Sequence, residues 1–175
     1  RAGAVEALHA EREQVRLVRA GPGSVALARA VANGSLPGCP GGGFVTRGAG
    51  ATNASIGFAT AFQDSTPMVL FVGDVASDMR DREAFQEVDY TSFFGPNTKG
   101  MAKRVERIDD ARRIPEYVAR AFATAMNGRP GPVVLVLPED MLTHTVDVPT
   151  LPRVEPAQAW SDPGALRTLR EMLLQ

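Results

Sequence analysis

Unbroken apolar runs are the clearest pattern along the chain. Met68–Val72 and Val133–Leu137 contain only hydrophobic residues, and Phe44–Thr46 is a shorter, mostly apolar segment. A strand that is covered on both faces loses the alternation of polar and apolar residues that half-exposed strands show. The three segments therefore predict buried central strands of a parallel sheet, and Val15–Val18 predicts a further short strand.

Segments with helical spacing lie between these strands. The clearest is Asp109–Met126, which begins with two acidic residues that favour a helix start. Its apolar residues recur at helical spacing: Ile114, Val118, Ala121, Phe122 and Ala125. Further helices are predicted at Val5–Arg12, Val25–Val31, Ala54–Phe62 and Arg82–Asp89. Strands that alternate with helices predict an α/β fold, a doubly wound parallel sheet with helices on both faces.

Glycine and proline interrupt this alternation twice. Gly34–Gly43 is rich in both and predicts a loop. Prolines recur after Asp147, as is typical of a linker, and Pro163–Gln175 predicts an amphipathic helix. The apolar face of that helix contains Leu166, Leu169, Met172 and Leu173. These features divide the chain into a domain at 1–148 and a linker with one helix at 149–175.

Composition narrows the classes of function. The 175 residues are 44% hydrophobic, which is enough for one core. The 19 basic and 20 acidic residues give no electrostatic reason to expect nucleic acid or an anionic membrane as a partner. No apolar stretch approaches the roughly 20 residues that span a bilayer, and the single Cys39 fits a reducing compartment. We therefore expect a cytoplasmic protein.

Four motifs follow one another in an order that resembles one enzyme family. Gly43–Gln63 reads GFVTRGAGATNASIGFATAFQ and is followed by Asp64–Pro67, Ala84–Glu87 and Gly128–Pro132. This series resembles the N-terminal pyrimidine-binding domain of thiamine-diphosphate enzymes of the acetolactate synthase type. The resemblance extends from about Val15 to Leu142, and the joint order of the motifs makes it specific.

The resemblance implies the thiamine-diphosphate-binding fold and a domain of a carboligase or decarboxylase that acts on 2-oxo acids. Such a domain holds only the pyrimidine end of thiamine diphosphate, while the diphosphate and Mg²⁺ belong to a separate C-terminal domain. FAD occurs in relatives, but no residue here predicts it. A homodimer, or a partner chain that supplies the diphosphate-binding domain, is implied. The first elements of the family would then precede residue 1, and 149–175 would enter a truncated central domain.

The turn after the first glycine-rich strand carries the cofactor residues that the resemblance implies. Gly48, Ala49, Gly50 and Asn53 match the family's Gly-Pro-Gly-Ala-Thr-Asn, which lies against the pyrimidine, and Ala49 replaces the family's proline. Glycines of this kind also let backbone pass close to other groups. For Thr52 and Asn53, capping of the following helix is the alternative.

Three more residues are implied to lie on the substrate side. Phe85 and Gln86 match the family's Ala-Phe-Gln-Glu, where both side chains line the active site near the thiazolium. The alternative is an amphipathic helix with Phe85 in the core. Lys99 matches a family Thr-Lys, and an ordinary surface lysine is equally compatible with the pattern.

The family's catalytic glutamate has no counterpart in this sequence. That carboxylate hydrogen-bonds N1′ of the aminopyrimidine and so helps N4′ to remove the C2 proton. Two alignments of the slot, counted from Arg19 or from Gly34, place Gly21 or Gly23 there. We therefore assign no catalytic residue.

Metal ligands are not predicted either. Gly73-Asp74-Val75 differs from the family's Gly-Asp-Gly, and no set of oxygen ligands for Mg²⁺ can be assembled. His144 and His9 are interpreted as surface residues, because no partner lies at ligand spacing.

Three hypotheses follow from these observations. The first is a cofactor-binding domain that cannot catalyse alone, as a fragment or as half of a split enzyme. The second is a non-catalytic homologue that acts as a binding or regulatory partner, which the glycine in the glutamate slot favours. The third is that the segment from Ala20 to Gly43 is altered.

Overall fold

The computed structural model describes residues 27, 30–32, 34–35, 40–95 and 100–174. Within these residues four parallel strands form one sheet, in the order β1-β2-β4-β3. The strands are β1 (Gly41–Val45), β2 (Met68–Asp74), β3 (Arg104–Arg107) and β4 (Pro132–Pro138). Because all four run in the same direction, their carboxyl ends meet at one edge of the sheet.

Helices connect the strands and follow the last of them. They are α1 (Ala49–Gln63), α2 (Tyr90–Phe94), α3 (Ile114–Met126), α4 (Glu139–Thr143) and α5 (Pro163–Leu173). Two short 3₁₀ turns occur at Ser77–Met79 and Ala111–Arg113. The Asp110 side chain accepts a hydrogen bond from the Arg112 amide and so caps the second turn.

Alternate residues of β2 divide the interior into two cores. Met68, Leu70 and Val72 belong to a cluster that includes Phe58 of α1. The intervening Val69 and Phe71 belong to a second cluster with α3. Successive side chains of a strand point to opposite faces of its sheet, so α1 and α3 cover the two faces. The prediction of a parallel α/β sheet with helices on both faces is confirmed.

The buried elements lie close to where the sequence predicted them. Met68–Val72 and Val133–Leu137 form the centres of β2 and β4, and each strand is slightly longer than predicted. The periodic segment ending at Met126 forms the second 3₁₀ turn and α3. Continuous burial explains this agreement, because these positions had to be apolar.

The first described strand departs from the prediction. β1 begins in the glycine run, at Gly41, and is the outermost strand of the described sheet. Phe44 is 45% exposed and stacks on Phe71 with a ring-centroid distance of 4.4 Å. The prediction that Phe44–Thr46 is a buried central strand is therefore wrong, although the segment does supply the end of β1. α1 also begins five residues before the predicted Ala54.

The helix predicted at Arg82–Asp89 does not form. This segment consists of turns, and Asp81, Glu83 and Gln86 have φ values of 61°, 55° and 63°. Such left-handed conformations interrupt a right-handed helix. The short α2 begins only after Asp89, whose side chain accepts hydrogen bonds from the Thr91 and Ser92 amides.

Besides α2 and the first 3₁₀ turn, β3 and α4 were not predicted. β3 is a short strand of mostly charged residues and lies at the other edge of the described sheet. α4 is a single short helix directly after β4. Neither has the apolar pattern from which strands and helices are predicted.

The end of the chain matches the predicted change of character. Residues 144–162 contain no helix or strand, and α5 follows with Leu166 and Leu173 exposed. Within the described residues, no helix is long and apolar enough to cross a membrane. The predicted elements Val5–Arg12 and Val15–Val18 lie outside the described residues.

We expect Leu70→Asp to prevent folding, because Leu70 is fully buried and an unpaired carboxylate there costs several kcal/mol. Circular dichroism and urea unfolding would measure the loss. Leu151→Asp is the control, since Leu151 is exposed and should accept a charge. A cooperatively folding Leu70→Asp protein would contradict the assigned core.

Candidate functional site

Charged side chains gather where the parallel strands end. Arg47 follows β1, and its Nη1 lies 2.7 Å from Oε2 of Glu139, which follows β4. Asp74 ends β2, and its Oδ2 lies 3.1 Å from Nε of Arg107, which ends β3. Each pair joins two strands, so the carboxyl edge is held by ion pairs as well as by the backbone ladder.

The second pair belongs to a wider network that extends from the buried Asp74 to the exposed Asp109 and Ser77. Asp74 is 8% exposed, and its Oδ1 also accepts a hydrogen bond from the Val75 amide at 2.9 Å. Arg107 pairs with Asp109 as well, and its Nη2 donates to Ser77 Oγ at 3.2 Å. These charges satisfy one another. Within the described residues, no group of three or more His, Cys, Asp or Glu side chains could hold a metal ion.

Gly48 occupies the turn between β1 and α1. Its φ of 57° and ψ of −111° form a conformation that is essentially restricted to glycine. A Cβ atom added to it would lie 2.5 Å from Gln86 Cβ and 3.0 Å from Gln86 O. The Gly48 amide donates a buried hydrogen bond to Tyr90 Oη at 2.8 Å. Both backbone strain and contact therefore require glycine here.

Gly50 lets the first turn of α1 approach the end of β1. A Cβ atom at Gly50 would lie 2.7 Å from Thr46 Cγ2. Ala49 and Asn53 are exposed on this first part of the helix. α1 has no side-chain cap, and Thr52 Oγ1 donates to Ala49 O at 3.2 Å, so capping by Thr52 or Asn53 is wrong.

The segment 80–89 brings Gln86, one of the predicted substrate-side residues, to this turn. Gln86 is partly buried and its backbone lies against Gly48. Phe85 is 78% exposed, so the alternative that placed it in the core is wrong. Lys99 lies outside the described residues, as do Gly21 and Gly23.

A cavity of about 690 Å³ lies between this segment and the carboxyl ends of the strands. Its lining includes Asp74, Arg107 and Val136 from the sheet, and Gln86 and Tyr90 from the segment above it. It is the described space into which a ligand beside the glycine turn could extend.

Tyr90 links the cavity to the turn. Burial raises the pKa of its phenol, and the Asp74 carboxylate adds to this effect, so the hydroxyl is protonated at neutral pH. It accepts a hydrogen bond from the Gly48 amide and still has its own proton to donate.

Sequence reasoning missed three contributors to this site: Glu87, Tyr90 and the Asp74–Arg107 pair. Asp89 could have indicated Tyr90, because an aspartate at an N-cap position predicts the start of a helix, and this helix positions the Tyr90 phenol. No local signal pairs Asp74 with Arg107, which are brought together only by strand order. His144 is exposed, in agreement with its interpretation as a surface residue.

Comparison with known proteins gives the relationship. A family model described as the thiamine pyrophosphate enzyme, N-terminal TPP binding domain, matches residues 2–93. This match covers more than half of the chain, and the chain belongs to that family. It contains the glycine turn and the Phe85-Gln86 segment, and it confirms the resemblance inferred from the order of motifs.

Acetolactate synthases are among the similar curated proteins. The large subunit from Buchnera aphidicola subsp. Schizaphis graminum is 48% identical over 101 residues, which cover 58% of this chain and 17% of that protein. The isozyme 3 large subunit from Escherichia coli strain K12 is 41% identical over 105 residues, covering 60% and 18% respectively. The chain thus spans about a sixth of the length of these relatives.

A solved structure supports the fold. Benzoylformate decarboxylase from Polynucleobacter necessarius matches 88% of this chain and 28% of that chain, with a TM-score of 0.69. At 24% sequence identity, this likeness shows the α/β fold alone.

We expect Gly48→Ala to destabilise the domain by at least about 2 kcal/mol, because the new methyl group meets Gln86 in a backbone conformation that alanine avoids. Gly128→Ala is a matched control: its φ is 65°, but a Cβ there meets nothing within 4 Å. The control should cost only about 1–2 kcal/mol. Equal urea midpoints for the two variants would contradict the contact with Gln86.

Proposed function

We propose that this chain forms the pyrimidine side of a thiamine diphosphate site in an acetolactate-synthase-like carboligase or decarboxylase that acts on 2-oxo acids. The observation that carries the proposal is the family match over residues 2–93, which includes the turn at Gly48. We place this domain at 1–148 and assign 149–175 to a linker and the first helix of a central domain.

The turn is suited to hold a flat ring. Gly48 and Gly50 have no side chains, and Ala49 and Asn53 are exposed at the start of α1. In this proposal the backbone of the turn and the Asn53 side chain lie against the aminopyrimidine. In this proposal Phe85, which is 78% exposed, and Gln86 act on the substrate side. The family resemblance implies the same role for Lys99.

Thiamine diphosphate supplies a carbanion at its thiazolium C2, and the chain's own contribution is to orient the cofactor and exclude water. In the proposed assembly, a domain outside this sequence holds the diphosphate and Mg²⁺. The chain pairs as a homodimer, or with a partner chain that supplies that domain, and the assembly works in the cytoplasm. No FAD site is proposed.

The second candidate function is a non-catalytic binding or regulatory partner. It is favoured by the glycine at either alignment of the glutamate slot, Gly21 or Gly23, because glycine offers no carboxylate to N1′. The two candidates share the fold and the cofactor surface, and they differ in whether C2 is activated.

We expect the chain to self-associate through the helices beside the turn. The family resemblance implies that helices near the turn pair two such domains, and Ile56 is an apolar side chain on α1 that is 71% exposed. Sedimentation velocity over a wide concentration range should show a dimer that Ile56→Asp weakens. Leu151→Asp is the control. A concentration-independent monomer would contradict the proposed partner surface.

We expect no carboligase or decarboxylase activity from this chain alone, because the proposed site lacks its diphosphate anchor and its activating carboxylate. General acid–base catalysis of this kind contributes about 10²–10⁴-fold. Gly21→Glu or Gly23→Glu, tested with a chain that supplies the diphosphate domain, should then speed C2 proton exchange by tens of fold or more.

Titration calorimetry with thiamine diphosphate and Mg²⁺, with and without that second chain, tests binding separately. If the unmodified chain binds the cofactor but C2 proton exchange is slow, the result supports a disabled catalytic half or a regulatory homologue. Faster exchange after the glutamate substitution would favour the disabled catalytic half. Exchange at full rate without any added glutamate would show that the assignment of the slot to Gly21 or Gly23 is wrong.

A further inference from the structure

The carboxylate of Glu87 closes the loop that precedes it. Its Oε1 accepts a hydrogen bond from the Asp81 amide at 2.6 Å, and its Oε2 accepts one from the Ala84 amide at 3.1 Å. The Glu87 amide in turn donates to Ala84 O at 2.9 Å. The Asp81 amide above all lowers the pKa of this carboxyl, so it is ionised at neutral pH and both oxygens accept. One side chain therefore determines the course of residues 81–87.

The loop needs such a closure because its backbone is strained. Asp81, Glu83 and Gln86 all have positive φ, a conformation that residues with side chains rarely adopt. Strained conformations persist only where surrounding contacts over-determine them. The Glu87 side chain bonds the amide of Asp81, the first strained residue, and the amide of Ala84, which follows the second, Glu83. Glu87 itself directly follows the third strained residue, Gln86.

The same loop packs against the turn at Gly48. Gln86 supplies the side-chain and carbonyl atoms that pack against Gly48, and Tyr90 supplies the hydroxyl that accepts from the Gly48 amide. Glu87 lies between these two residues in the chain. The contacts of Gly48 therefore depend on a conformation that Glu87 holds, although Glu87 itself is not among the atoms nearest to Gly48.

We propose that Glu87 is a positioning residue: by closing the 81–87 loop it fixes Gln86 and the Gly48 turn in the geometry that receives the cofactor ring. The role in cofactor binding rests on the proposed function, whereas the mechanical coupling of Glu87 to Gly48 does not. The exposed position of Phe85, next to Gln86, is set by the same closure.

The coupling is tested by amide hydrogen exchange in the chain without cofactor. Glu87→Ala removes both acceptors, and we expect the Asp81, Ala84 and Gly48 amides to exchange about tenfold faster, as the loss of a charge-assisted hydrogen bond implies. Glu87→Gln keeps one acceptor oxygen and should give an intermediate rate at Gly48. Glu83→Ala is the control, because it removes an exposed carboxylate from the same loop, whereas Glu87 is partly buried.

Exchange at Gly48 distinguishes positioning from general stability. The urea midpoint and the exchange of Val69 and Val134 amides in the central strands report the whole domain. The proposal is supported if Glu87→Ala speeds exchange at Gly48 while the urea midpoint and the exchange of the central strands stay unchanged. An unchanged Gly48 amide in Glu87→Ala, or equal acceleration in the central strands, overturns it.

Titration with thiamine diphosphate and Mg²⁺, in the presence of a chain that supplies the diphosphate domain, tests the link to the cofactor. We expect Glu87→Ala to weaken binding about tenfold and Glu87→Gln to restore part of it. If the Gly48 amide exchanges faster in Glu87→Ala but the cofactor affinity is undiminished, the positioning role is overturned. Should the unmodified complex bind no cofactor, the proposed function fails while the exchange experiment still decides the coupling.

Discussion

The conformation at Gly48 is the constraint on which the rest of the candidate site depends. β1 ends and α1 begins on either side of this residue, so its φ and ψ set the direction in which the helix leaves the sheet. The same position has room for Gln86 only because it lacks a side chain, and its amide is satisfied by Tyr90. A strand–helix turn and a loop some forty positions later in the sequence thereby form one packed unit.

The carboxyl edge beneath this unit is held with unequal strength by its two ion pairs. Arg47 and Glu139 are substantially exposed, and pairs of this kind contribute about 0–1 kcal/mol. Asp74 and Arg107 are mostly buried, and breaking such a pair by removing one partner costs about 3–5 kcal/mol. Asp74 lines the cavity, and its carboxylate raises the pKa of the Tyr90 phenol. The stronger ion pair therefore stabilises the edge of the sheet that lies beneath the loop and the turn.

Burial determined which parts of the fold the sequence could predict. β2, β4 and α3 were predictable because positions inside a two-layered core must be apolar, and that requirement is visible locally. β3 was not, because its charged residues form ion pairs with each other and with the helix beside it, as Glu106 does with Arg104 and with Arg120 of α3. The helix expected at Arg82–Asp89 failed because Glu83 and Gln86 adopt left-handed conformations and the Glu87 side chain bonds the Asp81 and Ala84 amides, local bonding that periodicity does not register.

Two residues of the candidate site were named from the sequence, but their contact with each other was not predictable. Resemblance identified Gly48 and Gln86 separately. Only the fold shows that the two residues are in contact and that each restricts the conformation of the other. This contact changes the meaning of the glycine. A residue kept only for a ligand could tolerate a methyl group when the ligand is absent, whereas Gly48 is required by the protein itself. The turn that we propose to receive the cofactor ring therefore has its conformation before any cofactor arrives.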